Sequence, residues 1–171
     1  KIQSEYIQPM GKGFFMAPSF YLSHDFQTIY ENKRSVARYD ADDLGFGFRI
    51  GTFLRRFGEF SLGGRFELID VAPTAKALEE TFPKFNEQVV MLDVRSHLDM
   101  LNTYPFPTDG RVITMQYQWA SPDLGSDVEY HRFQVDYAGY HSFRNRNTLG
   151  LRLQAGSDFR SGLPIYKNFR M

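Results

Sequence analysis

Apolar side chains recur at every second residue along much of the chain, and this period constrains the fold more than any other feature. Between Leu44 and Leu54 the even positions carry Leu, Phe, Ile or Thr, whereas the odd positions carry mainly Gly together with Arg49 and Phe53. Successive side chains of a β-strand point to opposite faces, so this stretch has one bulky apolar face and one small or charged face. Helical spacing is nearly absent. The sequence therefore predicts an all-β protein.

Five further segments show the same alternation, and turns or loops separate them. They lie at residues 60–68, 90–99, 113–119, 132–137 and 149–156. The run Phe14–Leu22 is apolar at both parities and is predicted to be one more strand, and residues 1–8 are predicted to hold the end of another. We therefore expect an antiparallel up-and-down meander of about seven or eight strands, with residues 1–171 forming a single segment.

The predicted connections alternate between short and long. Tight turns are predicted at residues 9–13, 55–58 and 144–147, and longer loops at 23–35 and 71–87. In an antiparallel meander, every second connection falls on the same side of the sheet, so the tight turns share one side and the longer loops share the other. Outer-membrane β-barrels have this asymmetry, with short periplasmic turns and longer external loops. The pattern predicts part of a transmembrane β-barrel.

Composition excludes several classes of protein. The 171 residues suffice for one domain, and 20 basic residues balance 20 acidic ones, which argues against a nucleic-acid partner. Cysteine is absent, so disulfide scaffolds and thiolate metal sites are excluded. The longest uncharged stretch, residues 13–24, is too short for a helix that crosses a bilayer. The aromatic content of 16% suits strands and membrane interfaces.

Alternation alone leaves two orientations of the sheet open. The apolar faces either meet each other in a soluble β-sandwich or small barrel that binds a ligand, or they meet lipid around a polar lumen. An Arg facing lipid at the bilayer midplane costs roughly 2–4 kcal/mol, so in the second case the charged face points inward. There it would form a structural network of Arg–carboxylate pairs. The residues predicted for this network are Arg49, Arg65, Glu67, Asp93, Arg95, Arg132, Asp136 and Arg152.

Catalytic and cofactor motifs are missing from the sequence. There is no Gly-x-Ser-x-Gly run for a hydrolase nucleophile, and the glycines of 45–51 lack the spacing and the helix of a dinucleotide site. The four histidines have no metal-ligand spacing, and His97 with Asp99 on one face is better explained by the lumen network. We expect no enzymatic activity, no cofactor and no metal in this chain.

Three segments carry a resemblance to a known family. Residues 5–19 read Glu-Tyr-Ile-Gln-Pro-Met-Gly-Lys-Gly-Phe-Phe-Met-Ala-Pro-Ser, residues 98–110 read Leu-Asp-Met-Leu-Asn-Thr-Tyr-Pro-Phe-Pro-Thr-Asp-Gly, and residues 163–171 read Leu-Pro-Ile-Tyr-Lys-Asn-Phe-Arg-Met. These resemble, in the same order, segments of the outer-membrane surface-antigen barrels, the superfamily that includes BamA and TamA. The first segment is most similar to the barrel of patatin-like phospholipase autotransporters, where a Tyr-x-Gln-Pro-Leu turn precedes a Phe-Phe-x-Ala-Pro-like strand. The second is similar to the superfamily's Asp-x-Leu-Asp/Asn…Phe-Pro-x-x-Gly turn, and the third to its Phe-Arg-Leu-Gly-Gly segment.

The second of these segments is a turn with its own physical logic. Asp99 at a strand end can accept hydrogen bonds from the amides of the turn. Pro105 and Pro107 remove two donors and stiffen the connection, and Gly110 permits a positive φ where the next strand begins. The residues assigned to this turn motif are Asp99, Asn102, Pro105, Phe106, Pro107 and Gly110.

The resemblance implies a function as well as a fold. It implies a sixteen-stranded barrel in the outer membrane of a Gram-negative bacterium, of which this chain is the middle part. The barrel would anchor, and secrete or display, an upstream patatin-like lipase domain with a POTRA domain. An assembly factor of the BamA or TamA type is the alternative. Several upstream POTRA domains favour assembly, whereas one POTRA domain with a patatin domain favours the autotransporter.

The expected partners follow from the open edges of such a segment. Unpaired strand edges are costly in lipid, because no water satisfies their amides and carbonyls. We expect the lipid bilayer and the rest of the same barrel as partners, with closure into a smaller barrel or edge-to-edge pairing with a second copy as alternatives. No nucleic acid is expected.

Overall fold

The structure is a computed structural model that describes residues 2–31, 34–73, 85–144 and 147–159, with side chains described outside 25–31, 34–39, 73 and 85. Nine antiparallel strands form one sheet, in the order β1-β3-β4-β5-β6-β7-β8-β9 with β2 also on β3. The strands are β1 Ile2–Glu5, β2 Gln8–Gly11, β3 Phe14–Glu31, β4 Arg34–Phe53, β5 Gly58–Pro73, β6 Phe85–Asp99, β7 Gly110–Ala120, β8 Tyr130–Phe143 and β9 Asn147–Ser157. The predicted all-β antiparallel meander is confirmed.

The first two strands are segments of a single pass across the sheet. Both pair with β3, and between them the amide of Tyr6 donates to the carbonyl oxygen of Pro18 at 3.0 Å. A short 3-10 helix, Pro122–Leu124, lies in the loop between β7 and β8. Within the described ranges, no helix is long and apolar enough to cross a membrane.

The connection between β3 and β4 corrects a prediction. Residues 23–35 were expected to form a long polar loop, but β3 continues to Glu31 and pairs with β4 from Arg34 onward. The prediction was wrong because alternation appears only where the two faces of a strand meet different environments. The helical turn expected at 74–82 and the third family-like segment, 163–171, lie outside the described residues.

Burial alternates along the central strands and defines two faces. On β4, Ala41, Gly45 and Gly47 are buried, whereas Phe46 and Phe48 are 56% and 45% exposed. We call the buried side the inner face and the exposed apolar side the outer face. Leu92 on β6 and Leu151 on β9 also lie on the outer face, with 38% and 53% exposure. A soluble sandwich needs these apolar faces covered, so the described residues contradict that alternative.

The inner face is apolar at its loop end and charged farther down. An apolar cluster fills the part next to the longer loops, and its members are Ala41, Ile69, Val71, Val89, Met91, Ala120 and Tyr130. Toward the turns, inner-face glycines allow aromatic rings to lie flat against the sheet. A Cβ at Gly51 would stand 2.5 Å from both the Phe15 ring and the carbonyl oxygen of Phe60, so only glycine fits there.

The outer apolar band runs obliquely across the sheet. Polar residues border its loop end. Six lie on the strands β3–β6, β8 and β9, and Ser121 directly follows β7: His24, Asp42, Asp70, Gln88, Ser121, His131 and Ser157. The strand registers shift this border toward the turns from β3 to β9, by about eight residues or ~27 Å along the strand direction. The six strand spacings between β3 and β9 span ~29 Å across the sheet. That offset corresponds to a strand tilt of about 40°, within the range of transmembrane barrels.

The height of the band also matches a bilayer. On β4 the outer apolar run extends from Leu44 to Thr52, which is about 27 Å along the strand. At the inferred tilt it covers roughly 21 Å along the membrane normal, close to the ~25 Å band of outer-membrane barrels. The outer face is therefore suited to contact hydrocarbon.

The sheet is open within the described residues. β1 and β2 pair with β3 alone, and β9 pairs with β8 alone, so the first and last strands do not meet. The expectation of a smaller closed barrel is wrong for this part of the chain. Every residue of β9 is exposed, as an edge strand without a neighbour would be.

Candidate functional site

Arg49 is the centre of one charged group on the inner face. Its Nη1 donates to Glu59 Oε1 and to Ser61 Oγ, both at 3.1 Å, and its Nη2 donates to Glu5. The Arg49 side chain is only 14% exposed, and its guanidinium lies 5.4 Å from the centre of the Phe15 ring. The Arg49 guanidinium on β4 therefore binds two carboxylates. Glu59 is on the neighbouring strand β5, and Glu5 is on β1, which lies beyond β3.

A second charged group lies beside it, on β5 and β6. Arg65 Nη1 is 3.6 Å from Glu67 Oε1, and the Glu67 side chain is 1% exposed. The Arg65 guanidinium also lies 5.5 Å from the Tyr21 ring. Asp93 is buried and accepts a 2.6 Å hydrogen bond from Gln116 Nε2. A polar cleft of about 190 Å³ joins the two groups, and its lining includes Arg49, Arg65, Glu67, Asp93 and Arg95.

The remaining predicted residues lie toward the β9 edge. Arg132 Nη2 donates to Gln134 Oε1 at 3.4 Å, and Gln134 Nε2 donates to Asp136 Oδ2 at 3.0 Å. Asp136 also accepts from Gln154 Nε2 on β9. Arg152 pairs in register with Ala138 but is exposed, and no ion pair joins it to a described residue. The eight predicted residues thus share one face but fall into separate groups.

The polar partners on this face were missed by the sequence reasoning. Glu5, Glu59, Gln116 and Gln154 each bond to one of the predicted residues. Their signal was present in part, because Glu59 and Gln116 continue the inner-face parity of β5 and β7. Glu5 gave no such signal, since β1 is too short to show a period.

A metal centre on the inner face would need a cluster of ligating side chains. In the part of the chain that is described, no group of three or more His, Asp or Glu side chains could hold a metal ion. His97 Nδ1 lies 2.9 Å from Thr114 Oγ1, and this polar contact occupies the ring nitrogen that faces the neighbouring strand. What the face provides is a set of charge-assisted hydrogen bonds between strands.

The turn between β6 and β7 is held by its own side chains. Asp99 Oδ1 accepts from the amide of Leu101 at 3.0 Å, and its other oxygen accepts from the Tyr104 hydroxyl. Asn102 Oδ1 accepts from the amides of Thr108 and Asp109 at 3.1 and 3.0 Å. Gly110 has a φ of 106° where β7 begins. Phe106, flanked by Pro105 and Pro107, is 84% exposed at the tip.

Replacing Tyr104 by Phe should make the turn less sensitive to acid. The hydrogen bond from Tyr104 and that from the Leu101 amide lower the pKa of Asp99. A carboxyl whose folded pKa is depressed adds stability above its unfolded pKa of about 3.9 and loses it as the pH falls further. We expect Tyr104→Phe to lower the urea midpoint at pH 7 and to differ less from the parent as the pH falls below 4. The measurement is urea unfolding of the full-length protein at several pH values.

The control for this experiment is Tyr6→Phe, which removes a hydroxyl bonded to Gln8 and not to a carboxylate. Its effect on the midpoint should not depend on pH in the acidic range. A Tyr104→Phe difference of the same size at pH 3 and pH 7 would show that Asp99 is not the linked group.

Aromatic side chains mark the loop end of the outer face on β7 and β8. The Trp119 and His131 rings are stacked, with centroids 6.2 Å apart and an interplanar angle of 5°. The Tyr117 hydroxyl lies 2.7 Å from His131 Nδ1. Amphipathic rings of this kind sit at headgroup depth in membrane proteins. These rings therefore place the membrane–water interface at the row of Trp119 and His131, on the loop side of the apolar outer-face residues of β7 and β8.

Comparison with family models decides the classification. The model of the Omp85 superfamily domain matches residues 3–171, which is nearly the whole chain. The chain belongs to the Omp85 superfamily. Its oblique apolar band, polar inner face and antiparallel meander are those of an outer-membrane barrel of the Omp85 type. No curated protein matched the chain.

The family assignment accounts for the two faces of the Omp85 segment together. Each neighbouring pair of strands from β3 to β8 is joined by an antiparallel hydrogen-bond ladder, which is what allows a sheet to lie in hydrocarbon. The superfamily is non-enzymatic, which agrees with the absence of a hydrolase motif from this chain.

Proposed function

We propose that this Omp85 segment is part of an outer-membrane barrel that anchors a patatin-like lipase domain encoded upstream and secretes or displays it. The anchoring role is supported by one observation above all: a band of exposed Leu, Phe and Ile on the outer face, bordered by polar residues at its loop end. The choice of a lipase passenger is supported by the resemblance of residues 5–19 to barrels of that group. We place the protein in a Gram-negative outer membrane on the same grounds.

We further propose that the inner charged groups are structural. Arg49 bridges strands that are 44 residues apart in sequence, at Glu5, and 10 residues apart, at Glu59. Bonds of this reach fix the register of neighbouring strands and fill the inner side of the wall. The turn motif at 99–110 would set the geometry of the β6–β7 hairpin in the same way.

The open edges suggest how this segment meets its neighbours. We propose that β9 and the β1–β2 edge pair with further strands of the same barrel, which would satisfy their unpaired amides and carbonyls. Edge pairing with a second copy is the alternative. A single cysteine introduced at Leu151, in a full-length protein freed of any other cysteine, distinguishes them; residues 1–171 themselves contain none. A disulfide-linked dimer in membranes would support the second copy.

The passenger proposal is tested by deleting residues 1–171 from the full-length gene in its native bacterium. We expect the upstream domain to remain in the periplasm, and phospholipase activity on intact cells to be lost. An inactive variant of the upstream nucleophile, with the barrel intact, is the control for the activity assay. If the deletion instead depletes unrelated outer-membrane barrels, the chain belongs to an assembly factor of the BamA or TamA type.

A further inference from the structure

An apolar groove lies at the turn end of the sheet, where β2, β3, β4 and β5 meet. Its volume is about 820 Å³, and its lining includes Met10, Phe14, Ile50, Phe60, Leu62 and one cation, Lys12. Phe14, Ile50, Phe60 and Leu62 are all outer-face residues that are between 45% and 57% exposed. The groove is therefore an indentation in the surface that faces lipid, at the depth where the turns begin.

One basic side chain, Lys12, lines the turn end of this groove, and two more, Arg55 and Arg56, lie in the turn beside it. Lys12 lies in the β2–β3 turn, and Arg55 and Arg56 lie in the β4–β5 turn. The two turns are joined, because the carbonyl oxygen of Gly13 accepts from the amide of Phe53 at 2.7 Å. All three basic residues are exposed, and none forms an ion pair with a described residue. The groove and the adjoining turn thus carry three basic side chains between them.

The backbone at two of these positions is strained for a residue with a side chain. Lys12 and Arg55 have φ values of 52° and 55°, in the left-handed region that Gly and Asn occupy at less cost. A long basic residue at such a position is more expensive than glycine. Tight hairpin turns require such a conformation, and Arg144 in the β8–β9 turn adopts it as well, so the turns account for the backbone and binding depends on charge.

The opposite end of the sheet has a groove of the opposite charge. It is about 410 Å³ and borders Leu22, Leu44 and Leu68. Five acidic residues line it: Asp42, Asp43, Asp70, Glu87 and Asp127. Two apolar grooves on the same strands therefore differ in the sign of the charge at their polar ends. An anionic headgroup is attracted to the turn end and repelled from the loop end.

We propose that the groove at the turn end binds an anionic glycerophospholipid of the inner leaflet. Its acyl chains would lie along Phe14, Ile50 and Leu62, and its phosphate would lie among Lys12, Arg55 and Arg56. The depth fits, since Arg55 follows Thr52, the last outer residue of β4 in the apolar band, by about 10 Å of chain. This inference depends on the membrane orientation of the barrel and not on the identity of any passenger.

The test compares lipids retained by the full-length protein purified from nanodiscs that contain equal amounts of phosphatidylglycerol and phosphatidylethanolamine. We expect native mass spectrometry to show phosphatidylglycerol retained in preference. Each basic side chain near an anionic surface strengthens binding roughly fivefold at low salt. The variant K12N/R55N/R56S should therefore lose the preference at least tenfold, and Asn is chosen because it tolerates the left-handed backbone.

The matched control is Arg144→Asn. Arg144 also has a positive φ of 54° and lies on the turn side, but in the β8–β9 turn, away from the groove. It should leave the preference unchanged, and heat resistance in gels should verify that both variants are folded. Equal retention of the two lipids by the parent protein, or a preference that survives in K12N/R55N/R56S, would overturn the proposal. If Arg144→Asn lost the preference for phosphatidylglycerol to the same extent, the preference would be a general effect of charge, and the proposal would also be overturned.

Discussion

Replacing Phe48 by Arg is expected to be among the most damaging single changes on the outer face. Phe48 lies in one register row with Pro18 and Gly64, in the middle of the apolar band, and it is 45% exposed. An Arg at the midplane of a barrel costs roughly 2–4 kcal/mol. The free energy of unfolding of the full-length protein in phospholipid vesicles should fall by about 3 kcal/mol, as measured by urea titration and the heat-modified gel shift.

The matched control is Thr52→Arg, on the same strand and the same face. Thr52 stands at the turn end of the band, where an Arg costs only about 0–1 kcal/mol because its side chain reaches the headgroups. If Phe48→Arg and Thr52→Arg destabilise the protein equally, the outer face does not lie in a bilayer. A refolding experiment in detergent alone would not separate them, because a micelle has no fixed midplane.

The strands and their two faces could be predicted from the sequence because a bilayer requires apolar residues on the outer face of every strand that crosses it. Where a strand has lipid on one side and protein on the other, its residues alternate, and β4 to β9 all show this in the sequence. The rule fails at residues 25–31 of β3, which pair with β4 above the row of His24 and Asp42. Residues 25–31 read Asp-Phe-Gln-Thr-Ile-Tyr-Glu and do not alternate strictly, so the period carries no signal of a strand there.

The inner groups were predictable by face but not by partner. The alternation in the sequence places Arg49 and Arg65 on one side of the sheet, but it does not show which residues of the neighbouring strands lie opposite them. The register between strands decides this, and it depends on the lengths of the turns. Glu5 reaches Arg49 across β3, and the register between them was invisible in the sequence because residues 1–8 show no period of their own.

The apolar cluster at the loop end of the inner face was also unforeseen. Ile69, Val71 and Met91 occupy the same parity as Glu67 and Asp93. The inner face thus has apolar residues at its loop end from β4 to β8. The alternation in the sequence assigns residues to a face but does not show where along the strand that face becomes apolar. The Tyr130 hydroxyl, 3.4 Å from the sulfur of Met91, links β8 to this cluster across the sheet. The loop end of the inner side is therefore packed by ordinary hydrophobic contact.

Replacing Arg49 by Met should show how far the barrel wall depends on its inner charges. The change keeps much of the side-chain volume but leaves Glu5 and Glu59 without their shared cation. These carboxylates are only 26% and 18% exposed, so water compensates them poorly. Breaking a buried ion pair from one side costs about 3–5 kcal/mol, and partial exposure places the expected loss near 3 kcal/mol. Urea unfolding of the full-length protein at pH 7 measures it.

The triple variant E5Q/R49M/E59Q separates charge from packing in this result. It removes the cation and both carboxylates together, so no charge is left without a partner, and most of the lost stability should return. Arg111→Met serves as the surface control, because Arg111 is exposed and has no ion pair with a described residue; it should change the free energy by less than about 0.5 kcal/mol. If the triple variant is as unstable as Arg49→Met, the contact of Arg49 with the Phe15 ring matters more than its carboxylates. The inner charged groups would then hold the strands through packing, and the electrostatic account of the wall would be wrong.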